Sequence, residues 1–89
     1  MQYVIASCIV DDTRQFAFND GALPRKFKLI IALALDAAHG ATDGVESLAR
    51  AAMQAGATKE EIAEALRVAQ YISGVGSVYT ASRALKALF

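Results

Sequence analysis

The stretch that most limits how this chain can fold is Leu29-Ile30-Ile31-Ala32-Leu33-Ala34-Leu35. Wound as a helix, it has no polar face. A helix that is apolar on every side needs cover on every side. In a chain of 89 residues, either this helix is the centre of the fold or another subunit shares it. Composition sharpens the choice. Hydrophobic residues make up 55% of the chain, while a domain this small buries only about 60% of the surface its unfolded chain exposes. A self-association surface is the natural place for the surplus, so a homo-oligomer is expected.

The rest of the sequence reads as helices around that one. Tyr3 to Phe18 places Ile5, Ile9, Asp12 and Phe16 at helical spacing, although residues 4–10 also suit a strand. Asn19-Asp20-Gly21 signals a turn, and Pro24 suits the first turn of a helix reaching Ala38. His39-Gly40 ends it, with Gly40 as a left-handed cap. A third helix opens at Thr42-Asp43, where Asp43 and Glu46 have capping-pair spacing. Its apolar stripe is Val45, Leu48, Ala49, Ala52 and Met53, and Gly56 stops it. Thr58 with Glu61 forms a capping box for a fourth helix, whose predicted buried face is Ile62, Ala65, Leu66, Ala69 and Ile72. Gly74-Val75-Gly76-Ser77 breaks that helix before a last one carrying Val78, Ala81, Leu85 and Leu88. The expectation is one all-α domain spanning residues 1–89, with no linker or repeat dividing it.

Several function classes are disfavoured. Nine basic and nine acidic residues cancel, and no basic stripe runs along the chain, so no nucleic-acid partner is expected. The apolar run is far short of a membrane span. Ile5-Ala6-Ser7-Cys8 resembles a lipoprotein cleavage box, but no basic residue precedes it, and a cytoplasmic chain is expected. Cys8 is the only cysteine, so no subunit can run a two-cysteine redox cycle alone. Without a basic neighbour in sequence it reads as a small hydrophobe rather than a reactive thiol. One histidine and one cysteine provide no metal-ligating set. Gly74-x-Gly76 follows a helix rather than a strand, which argues against a dinucleotide loop, and no cofactor is expected.

Three blocks carry a family likeness: Gly21-Ala22-Leu23-Pro24-Arg25-Lys26-Phe27-Lys28 leading into the apolar run, Ala55-Gly56-Ala57-Thr58 with Glu60-Glu61-Ile62-Ala63-Glu64-Ala65-Leu66, and Tyr71-Ile72-Ser73-Gly74 with the Ala-rich tail. In order and spacing, from Asp20 to Leu88, they resemble the carboxymuconolactone decarboxylase family, which includes the alkylhydroperoxidase D-like proteins. Residues 1–19 lie outside the likeness, as a shortened member would show. The resemblance implies an all-helical fold that assembles into trimers or hexamers. It also implies either peroxiredoxin-type antioxidant chemistry or decarboxylation. Redox relatives use Cys-x-x-Cys-x-x-x-His and a glutamate from the preceding helix. One thiolate attacks peroxide, the other resolves the product, and the histidine and glutamate move protons. Counted back from Gly56, the cysteine positions fall on Ala41 and Gly44, the histidine position on Leu48 and the glutamate position on Leu29. All four groups are absent, which removes the dithiol relay. Leu29 and Leu48 are expected to be buried side by side, lined by Ala41 and Gly44, as core or as an apolar pocket.

Of the remaining polar residues, Asp36 and His39 are the candidate catalytic pair. They stand three apart at a helix end, and a His–carboxylate pair suits acid–base chemistry near neutral pH. The competing reading is local: histidine favours a helix C-terminus, and Asp43 and Glu46 favour the next N-terminus. Tyr71 and Tyr79 read as packing residues, and Lys26 and Lys28 as solvated surface. Two functions stay open at this point. One is a thiol-independent enzyme acting on a small organic acid. The other is a non-catalytic oligomeric binding or scaffold module.

Overall fold

The computed structural model describes residues 12–86, Leu88 and Phe89. The Ile5–Cys8 box, Cys8 and most of the first predicted helix lie outside the described residues. Helical backbone over residues 12–18 is α1. It is followed by α2 (Arg25–Ala38), α3 (Thr42–Gln54), α4 (Lys59–Ser73) and α5 (Gly76–Leu85). The fold is all-helical, with no strand among the described residues.

Helix α2 is the hub. It packs against α3, α4 and α5, while α5 also packs on α3 and α4. Leu29, Leu33, Val45 and Ile62 are the largest fully buried side chains. Ala37, Ala49, Ala52, Ala81 and Ala84 complete the centre, and their small size lets the helices approach closely.

The stops between helices are local. At the end of α2, Ala41 N–H donates to Asp36 O (2.9 Å) and Gly40 N–H to Ala37 O (3.3 Å), with Gly40 at φ 78°. This is a Schellman closure. The same pair of bonds closes α3, from Ala57 N–H to Ala52 O and from Gly56 N–H to Met53 O, with Gly56 at φ 102°. The Thr58 box is complete: Glu61 N–H donates to Thr58 Oγ1 (3.1 Å), and Thr58 N–H donates to Glu61 Oε1 (2.9 Å).

Some expectations need correction. Asp43 does not cap α3. Ala41 holds the N-cap position and no side chain caps it, because the Schellman closure runs straight into the new helix. Glu46 pairs with Arg50 one turn on, at 3.2 Å, as their i,i+4 spacing in the sequence predicts. Ile72 is 74% exposed rather than buried, and Tyr71 and Tyr79 face solvent, since this end of α4 and this part of α5 have no helix over them. Lys26 and Lys28 are not merely solvated. Lys26 Nζ meets Glu61 Oε2 at 3.1 Å, tying α2 to α4, and Lys28 Nζ donates to Asn19 O at 2.7 Å. The apolar run is also not covered all round within one chain: Ile31 and Leu35 stand on an exposed flank.

Candidate functional site

A cleft of about 610 Å³ opens where α1, α2 and α3 meet. Its wall on α2 follows helical periodicity: Arg25, Leu29, Ala32 and Asp36 recur at intervals of four, three and four residues. Gly44, Ser47, Leu48 and Ala51 do the same on α3, and Arg14 and Phe18 come from α1. The floor is apolar. Leu29 is 2% exposed, and Leu48 is half-buried against the core. The volume lies within the range of small-molecule pockets, roughly 300–1,000 Å³.

Among the described residues, no charged group around this floor has a counter-ion. The Arg25 guanidinium sits over the Phe18 ring, 5.9 Å from its centroid. Its backbone N–H is taken by Asp20 Oδ1 at 2.6 Å. The ring orients the cation and leaves its N–H donors for something else. Among the described residues, the only salt bridges are Lys26–Glu61 and Glu46–Arg50, so Arg14, Arg25 and Asp36 take part in none.

Asp36 is half-buried and leans onto Gly44. A Cβ at position 44 would collide with the Asp36 carboxylate. Gly44 has no positive φ to account for its identity. Inside a helix, glycine costs about 0.5–1 kcal/mol relative to alanine. The space taken by Asp36 supplies the reason for it.

The sequence-derived candidates are therefore separated. Asp36 lines the cleft, whereas His39 is the exposed C-cap of α2 and does not line it. Leu29, Gly44 and Leu48 share the cleft, but Ala41 is exposed at the N-cap of α3 and is not part of its lining. The pocket is not purely apolar, since Arg14, Arg25 and Asp36 ring it. Sequence reading missed both arginines. Arg25 and Asp36 share the α2 face at helical intervals, a weak signal, while only the fold brings Arg14 alongside.

A second concavity, about 370 Å³, lies on the other flank of α2, against α4. Ile31, Leu35, Val68 and Ile72 line it, with Ser73 its only polar lining residue. Among the described residues, no helix is long and apolar enough to cross a membrane. No group of three or more His, Cys, Asp or Glu residues gathers there either.

Fold and cleft together define a small helical domain that builds a ligand-sized pocket against one buried central helix. The chain belongs to the carboxymuconolactone decarboxylase family, whose sequence profile matches residues 9–87. That match starts before Asp20, where the recognisable blocks begin. Comparisons with curated proteins and with solved structures give no match.

Proposed function

We propose that this carboxymuconolactone-decarboxylase-like subunit takes a small organic acid into the α1–α2–α3 cleft and acts on it without thiol chemistry. The observation that carries the reading is the cleft itself: two arginines with no salt-bridge partner among the described residues, over an apolar floor. Two positive groups against the one carboxylate of Asp36 leave the lining net positive, which favours an anion. Guanidinium groups suit carboxylates because their planar donors engage both oxygens. Asp36 is the acid–base group available to a bound substrate. With Ala41 and Gly44 at the positions equated with the two cysteines, a dithiol peroxidase cycle is not part of this reading.

A non-catalytic binding module is the second reading. The position of His39, outside the cleft, favours it because the site then has one titratable carboxylate rather than a pair. In both readings subunits associate as a homo-oligomer, trimeric or hexameric, through the exposed α2–α4 flank.

Incubation with a panel of aromatic and alicyclic carboxylates, followed by NMR, separates the two readings. Substrate loss that disappears in Asp36→Asn supports the enzyme. Binding without turnover supports the module. A coupled hydroperoxide assay should read background and be unchanged by Cys8→Ser. Robust turnover abolished by that substitution would overturn the thiol-independent reading.

A further inference from the structure

Opposite charges stand at the two ends of one cleft wall. Arg25 and Asp36 lie eleven residues apart on one face of α2, a rise of about 16 Å. The Phe18 ring holds Arg25 at one end of that wall. Gly44 makes room for Asp36 at the other. Neither charge has a salt-bridge partner among the described residues, and the apolar side chains of Leu29 and Ala32 lie between them along the helix. A half-buried carboxylate and a cation at opposite ends of an apolar wall form a bipolar template. A bound molecule satisfies both ends only if it carries both signs.

We infer that the cleft selects an organic acid that also carries an ammonium group, its carboxylate toward Arg25 and Arg14 and its ammonium toward Asp36. This rests on the reading of the cleft as an acid-binding site and adds a second recognition point to it. Asp36 is the specificity-determining group. Gly44 is a positioning residue, because any side chain there displaces the Asp36 carboxylate.

The test uses three molecules on one skeleton: 4-(aminomethyl)benzoate, 4-methylbenzoate and 4-methylbenzylamine. Affinities are measured by calorimetry on the full chain. The amino acid should bind at least about tenfold more tightly than 4-methylbenzoate, as one added charge-assisted hydrogen bond allows. Asp36→Asn should bring the ratio of the two acids' affinities close to one. Gly44→Ala, which a helix tolerates well, should reduce the same ratio. Arg25→Ala should weaken both acids together. Equal binding of the two acids by the unaltered protein, or a preference surviving Asp36→Asn, would overturn the inference yet leave the acid-binding reading standing. If neither acid binds, the acid-binding reading fails and the inference fails with it.

Discussion

The two flanks of α2 share the apolar run from Leu29 to Leu35, yet they are chemically unlike. Toward α1 and α3, Leu29 and Ala32 floor a cleft edged by Arg14, Arg25 and Asp36. Toward α4, Ile31 and Leu35 join Val68 and Ile72 in a groove with almost no polar lining. Leu29 is 2% exposed, and Leu35 is 55% exposed. One flank is closed by the chain's own helices and retains only a ligand-sized opening. The other is left uncovered. The difference shows that a run of residues apolar on every side need not have uniform surroundings. Arg25 and Asp36 at the two ends of the apolar run, with Arg14 from α1, put all the charge on one flank and none on the other.

The comparison is broken most forcefully by truncating each flank. Leu29→Ala should cost roughly 2–5 kcal/mol of stability, as for other buried leucines. Denaturant melts should give the same loss at every protein concentration. Leu48 is half-buried, so Leu48→Ala should cost less than Leu29→Ala in the same melts. Ile31→Ala should act differently. Its penalty should grow with protein concentration, because an interface residue stabilises only the associated state. Identical, concentration-independent losses at both positions would erase the distinction between the flanks.

Leu35→Glu tests the groove alone. A charge in an apolar interface should shift the light-scattering mass down toward the 9.4 kDa subunit. Helix content should be retained, since Leu35 is not in the single-chain core. A wild-type mass already equal to one subunit at micromolar concentration would refute assembly through this flank.

The smallest effect concerns the bridge that ties α2 to α4. Glu61 titrates below the ordinary carboxylate range, first because it accepts the Thr58 backbone N–H and then because of Lys26. Its contribution is therefore fully present above the usual glutamate value. It is lost as pH falls through the lowered one. Stability of the wild type and of Glu61→Gln should differ near neutrality and converge in acid. A gap that stays constant down to low pH would show that Glu61 acts through packing rather than charge.

What could be read from the sequence follows the range of the interactions. The Thr58–Glu61 box and the stops at Gly40 and Gly56 were legible because each is completed within six residues. Periodicity placed Val45 and Ile62 correctly, because the elements that cover them follow the same helical rule. It failed at Ile72, since the stripe on α4 continues past the last residue that α2 covers within one chain. Of the Asp36–His39 pair, only Asp36 lines the cleft, while His39 is the exposed C-cap of α2, and i,i+3 spacing alone does not tell which residue the fold places against α3. The Asp36–Gly44 packing crosses a helix boundary, and no spacing rule anticipates it. Asp20 bonding to the Arg25 N–H likewise depends on how the turn folds back.

Because α2 forms a wall of both the cleft and the groove, it offers a simple route for signalling between them. A rigid rod cannot shift on one side without shifting on the other. If an acid in the cleft favours one tilt of α2, a neighbour seated on the groove that favours the same tilt will tighten acid binding. The acid will strengthen assembly by the same factor, since such coupling is reciprocal. The logarithm of that factor, measured as the change in acid affinity between assembled and dissociated subunits, gives the free energy that α2 transmits.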